Sequence, residues 1–147
     1  AFLVQFPGFT DPIRVEFEGK RVLILDDSIV RGNTSRQIVK IARQMGAAKV
    51  YLASYSPPLL HPCLYGIDMS TKREFVARGR TTAEIATELG ADFVLYQTIE
   101  DMVQAVQAVG PDRQFCKACF DGNYPTGDIT ERMLSDIETD RLEATKS

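Results

Sequence analysis

Four consecutive apolar residues, Val22 to Leu25, run straight into two carboxylates, Asp26 and Asp27, and then into a short polar stretch, Ser28 to Ser35, that contains Gly32. An unalternating apolar run of this length reads as a short buried strand, with the acidic pair where the strand leaves the sheet. Beyond it, Ile38, Val39, Ile41, Ala42 and Met45 recur at helical spacing. They predict a helix from Ser35 to about Met45, with Thr34 or Ser35 as N-cap and Gly46 as C-cap. Val50 to Tyr55 supplies a further strand, ended by Pro57-Pro58. Strand, helix, strand makes a βαβ unit with parallel strands and a right-handed crossover.

The flanks are read in the same way. Ile13, Val15 and Phe17 alternate with Arg14, Glu16 and Glu18, which predicts a strand and, through a turn at Gly19-Lys20, a hairpin over 13–27. Phe2-Leu3-Val4 is a short apolar segment followed by breaks at Pro7-Gly8 and Asp11-Pro12. Leu59 to Met69 reads as a loop, with His61 as an exposed loop residue rather than a ligand. Ala83, Ile85, Ala86 and Leu89 mark a helix opened by Thr81 or Thr82 and closed by Gly90. After a strand at Phe93 to Tyr96, a helix from Thr98 or Ile99 carries Met102, Val103, Val106 and Val109 as its apolar stripe, with Met102 in the core, and stops at Gly110-Pro111. Thr130 to Ser147 reads as a weakly amphipathic helix needing a partner surface. The fold class that follows is α/β, a mainly parallel twisted sheet with helices on both faces and its site at the strand C-termini.

Length and composition narrow the choice. A chain of 147 residues is the size of one domain, and a net charge of −3 gives no electrostatic reason to expect nucleic acid. No apolar run approaches a membrane span and the first residues lack the pattern of a signal peptide, so the expected setting is the cytoplasm, with no membrane partner. Three cysteines cannot all pair with one another, and Cys116 and Cys119 have the spacing at which two thiolates bind one centre. In a reducing compartment that spacing points to a ligand, cluster or redox role before a structural disulfide.

The central stretch suits a phosphorylated sugar. A turn entering a helix N-terminus aims backbone N–H groups and the positive end of the helix dipole at one point, where hydroxyls of Ser28, Thr34 and Ser35 add donors. Asp26 and Asp27 can accept from ribose hydroxyls or hold Mg²⁺ that carries substrate oxygens. On chemistry alone an acidic pair at a strand end also caps helices or faces solvent, and both readings stand.

Residue order adds a resemblance. Val22-Leu23-Ile24-Leu25-Asp26-Asp27-Ser28-Ile29-Val30-Arg31-Gly32-Asn33-Thr34-Ser35 resembles the phosphoribosyl pyrophosphate (PRPP) loop of type I phosphoribosyltransferases, in the form found in amidophosphoribosyltransferases. The likeness continues through Gly46-Ala47, Ser56-Pro57-Pro58, Pro62 to Met69, Ile85 to Leu95 and Cys116 to Thr126, and fades upstream of Gly19. It implies a partial phosphoribosyltransferase domain over 1–129, with 1–18 poorly matched, a helical tail over 130–147, and no glutaminase domain within this chain.

By this resemblance Asp26 and Asp27 hold the ribose hydroxyls and Mg²⁺-bound substrate, and Ser28, Arg31, Gly32, Asn33, Thr34 and Ser35 surround the 5-phosphate. Asn33 stands where the family more often has Thr, and Arg31 either pairs with phosphate or faces solvent. Tyr65-Gly66-Ile67-Asp68 resembles a segment near the nucleotide end of the site, and Asp68 is given no role. Cys63, Cys116 and Cys119 match three of the four ligands that hold a [4Fe–4S] cluster in one branch of the family. The implied reaction is PRPP plus ammonia from glutamine to 5-phosphoribosylamine and pyrophosphate, the first committed step of purine synthesis, with no catalytic residue assigned here. Implied partners are PRPP, inhibitory purine nucleotides and further copies in a homo-oligomer. The alternatives are a non-catalytic PRPP- or purine-nucleotide-binding module and, third, a salvage phosphoribosyltransferase.

Overall fold

The computed structural model of the chain describes residues 2–4, 14–65, 72–110 and 114–144. In it the unalternating run becomes a parallel strand, β2 (Arg21–Asp26), flanked by β1 (Phe2–Val4) on one side and β3 (Lys49–Ser54) on the other, with β4 (Phe93–Tyr96) beyond β3. All three pairings are parallel, and the register brings Asp26, Ser54 and Tyr96 level at the C-terminal edge.

Two crossover helices, α1 (Asn33–Gln44) and α2 (Thr82–Leu89), touch each other and the strands they lead into. A strand order that never reverses, with crossovers of one hand, places both on the same face of the sheet. That face carries Val22, Ile24, Val50, Leu52 and Val94, each at most 1% exposed, packed with Val39 and Ala42 of α1 and Ile85 and Leu89 of α2. The opposite face shows Phe93 and Leu95 in the open, at 53% and 56% exposure.

Local chemistry sets the element ends. Thr81 accepts from the Glu84 N–H while the Glu84 carboxylate accepts from the Thr81 N–H, a reciprocal cap that opens α2, and Gly90 closes it in the left-handed region. Thr98 caps α3 (Ile99–Val109) by accepting from the Asp101 N–H. Asp92 ties three elements together: it accepts from the Lys49 ammonium, the Val50 N–H and the Arg43 guanidinium, which hold its carboxyl well below the usual range.

Several expectations need correction. Residues 14–16 form a 3-10 turn, not the first strand of a hairpin, and Ile13 lies outside the described residues. The physical reason is that β1 occupies the edge of β2 that a hairpin partner would need. Phe17 alone enters the core while Val15 stays 65% exposed, so the alternation is not used. Helix α3 buries none of its residues: Met102 and Val103 are half-covered and Val106 and Val109 are exposed, because the described chain presents no surface to that stripe. The tail forms α5 (Glu131–Ala144), anchored by buried Leu134. Among the described residues no helix is long and apolar enough to cross a membrane.

Candidate phosphoribosyl site

The acidic tip, the loop and the start of α1 enclose one cleft of about 460 Å³, lined by Asp26, Asp27, Ser28, Arg31, Gly32, Asn33, Thr34 and Ser35 together with Val30. The structure therefore brings every residue named for the sugar phosphate to one place. Asp26 ends β2 and is half-buried; it accepts from the Asp27 N–H at 3.1 Å and from the Ser35 hydroxyl at 3.4 Å. Burial first, and then the neighbouring Asp27 charge, push its carboxyl above the ordinary value. Asp27 is exposed and accepts from the Ser28 N–H at 2.7 Å.

The helix begins two residues earlier than the spacing predicts. Gly32, at φ +76°, takes the N-cap position with no side-chain cap, so neither Thr34 nor Ser35 caps α1. Ser35 is instead buried and orients Asp26, while Asn33 and Thr34 remain exposed in the first turn. Leaving the cap to a glycine keeps the N–H groups of that turn free of a competing side-chain acceptor.

A second segment fixes the loop. The Val76 N–H donates to the Val30 carbonyl at 2.9 Å, and Arg31 Nε sits 3.1 Å from Glu74 Oε1. Ile29, only 1% exposed, anchors the loop to the core. Gly32 lies so close to α2 that an added Cβ would stand 2.6 Å from Leu89 Cδ2. Arg31 takes neither course alone: half exposed, it pairs with Glu74, a partner with no signature in the local sequence.

The cysteines gather elsewhere. The Cys119 carbonyl accepts from the Leu60 and His61 N–H groups, and the Tyr124 hydroxyl donates to the Pro62 carbonyl at 2.7 Å, docking the Cys63 loop against α4 (Ala118–Asp121) and the turn after it. Burial, with smaller contributions from Cys116 and Cys63, pushes the Cys119 thiol up. All three cysteines are free thiols, yet among the described residues no three His, Cys, Asp or Glu side chains are arranged to hold a metal ion. His61 is half-buried rather than exposed, because its ring packs over Gly122, where a Cβ would lie 3.0 Å from Cε1. Asp68 lies outside the described residues.

No protein-family model matches the chain. Among curated proteins it is 44% identical over 137 residues to the amidophosphoribosyltransferase of Pseudomonas aeruginosa, covering 92% of this chain and 27% of that protein. The Escherichia coli amidophosphoribosyltransferase is 45% identical over 135 residues, again with 91% of this chain and 27% of the relative covered. Over most of its length the chain is thus similar to one part of the amidophosphoribosyltransferases. It spans about a quarter of the length of these relatives. Among solved structures, one described as the allosteric regulatory enzyme of purine biosynthesis matches with a TM-score of 0.71 and 40% identity over 86% of this chain and 28% of that one. The Bacillus subtilis glutamine PRPP amidotransferase, complexed with ADP and GMP, matches with a TM-score of 0.67 and 43% identity over 77% of this chain and 25% of that one. The parallel sheet with its helices thus matches a part of PRPP amidotransferase structures.

Proposed function

We propose that this chain supplies the ribose- and 5-phosphate-binding half of an amidophosphoribosyltransferase site. The observation that carries the reading is the single cleft shared by an acidic strand end and a helix N-terminus. In the reaction, ammonia from glutamine attacks C1 of PRPP; the C1–N bond forms, the C1–O bond breaks with its electron pair leaving on pyrophosphate, and the nitrogen loses a proton to give 5-phosphoribosylamine. Asp26 and Asp27 accept from the ribose hydroxyls and the loop holds the 5-phosphate, so that C1 is presented in a fixed orientation as positive charge develops on the ring. The two carboxylates suit Mg²⁺, a hard cation that takes few protein ligands and keeps substrate oxygens and waters; when bound it neutralises the departing pyrophosphate.

A non-catalytic binding module is the second reading, favoured by the nature of the cleft: its groups bind and orient, and none is placed as an acid or base. Pyrophosphate release from PRPP and ammonium separates the two. Turnover by the chain supports the enzyme, and PRPP binding without turnover supports the module.

Three further features belong to the same reading. The relative solved with ADP and GMP supports purine nucleotides as inhibitory ligands. Exposed Phe93 and Leu95 on β4 support assembly into a homo-oligomer, and free thiols fit a cytoplasmic setting. Cys63, Cys116 and Cys119 would provide three thiolates to a [4Fe–4S] cluster, with the fourth ligand from outside these residues. Docking of the Cys63 loop against α4 and the turn after it supports the grouping. Anaerobic reconstitution is expected to give a broad visible absorption that weakens in Cys116→Ser and Cys119→Ser. Absorption indifferent to both substitutions removes the cluster.

A further inference from the structure

The segment that fixes the loop also walls a second cavity. Lys72, Arg73, Arg78 and Arg80 face Ser135 and Glu138 of α5 around about 650 Å³ of space. Four cationic side chains against one carboxylate make this a locally positive surface on a chain of net charge −3. Arg80 Nη1 is fixed by donating to the Val76 carbonyl at 3.0 Å, whereas the Arg73 and Arg78 guanidinium groups make no hydrogen bond or ion pair among the described residues. On the α5 wall, Glu138 Oε1 is buried and has no donor.

Those two deficits are complementary. Unpaired guanidinium groups present planar forks of donors that match phosphate oxygens. A buried carboxylate oxygen without a partner wants a hydroxyl or similar donor, since native interiors rarely leave such an acceptor unmet. The cavity has the volume of a small-molecule site. We propose that it binds a phosphorylated hydroxy compound, its phosphate held by Arg73 and Arg78 and its hydroxyl donating to Glu138. This site shares no lining residue with the 26–35 cleft and stands whether or not that cleft binds PRPP.

The test uses glycerol 3-phosphate and inorganic phosphate as probes, followed by amide chemical shifts of the isotope-labelled chain. Saturable shifts are expected at 73–80 and 135–138, with glycerol 3-phosphate binding more tightly than inorganic phosphate there. Arg73→Ala with Arg78→Ala should weaken binding at these amides about tenfold or more, while any shifts at 28–35 persist and report that the fold is intact. Glu138→Ala should abolish the preference for glycerol 3-phosphate, and it decides the matter alone if the double variant fails to fold. Absence of saturable shifts at 73–80, or shifts and preference unchanged in the variants, overturns the proposal; a Glu138 carboxylate that instead closes onto the arginines gives that absence. Shifts confined to 28–35 would leave the phosphoribosyl reading standing and remove this one.

Discussion

Asp26→Asn is expected to bind PRPP about 10–100-fold more weakly, the loss of one or two charge-assisted hydrogen bonds, and yet to melt at a higher temperature than the parent chain. Half-buried at the end of β2 and beside Asp27, Asp26 has its carboxyl pushed above the ordinary value of 3.8. A raised carboxylate is a group whose charged form the fold disfavours. Its penalty is absent where both folded and unfolded chains are protonated, grows as pH rises through the folded value, and persists at neutral pH. Asparagine keeps one oxygen to accept from the Asp27 N–H, and its amide NH2 replaces the oxygen that accepted from Ser35 and can donate to that hydroxyl, but it carries no charge. The gain appears at pH 7 as a higher Tm, and it should vanish below pH 3.8. Thermal melts across pH with parallel PRPP titrations check both halves. A variant that melts lower at pH 7, or one that binds like the parent, contradicts this account of Asp26.

Gly32→Ala carries the largest expected effect on the fold around the site. At φ +76° an alanine pays roughly 1–2 kcal/mol for the left-handed conformation alone. Its Cβ also meets Leu89 Cδ2 at 2.6 Å and Val76 Cγ2 at 3.4 Å, and Leu89 is buried with little room to turn. Together these should destabilise the chain by about 2–4 kcal/mol, measured by urea denaturation. The strain falls on the loop itself, so PRPP binding should be lost even in the fraction that folds. An alanine variant of unchanged stability and affinity would show that neither the conformation nor the close approach matters.

The stretch from Val22 to Ser35 was legible because its signals are local. An unalternating run gives a parallel strand, and carboxylates at its end with a glycine-containing turn before a periodic segment give the cleft at the strand–helix junction. What the sequence does not display is what the junction touches. Gly32 as N-cap depends on Leu89 and Val76, and the pairing of Arg31 depends on Glu74, all distant along the chain. The hairpin over 13–27 failed because alternation announces a buried face without saying which sheet edge is free. Helix α3 is a related case: Met102, Val103, Val106 and Val109 announce a face to be covered, and the stripe cannot name what covers it. Asp92 lies inside the resembling stretch from Ile85 to Leu95, but its work as a tie between Arg43, Lys49 and Val50 is visible only once β3 and β4 are paired.

The most direct test of the phosphoribosyl reading is calorimetric titration of PRPP into the purified chain with and without Mg²⁺. Saturable binding that strengthens with Mg²⁺ and is lost in Asp27→Asn is the predicted result, since it requires the acidic pair and the loop to act on one ligand. A folded chain that takes up no PRPP in either condition would contradict it, and the cleft between β2 and α1 would then be a shape without that ligand.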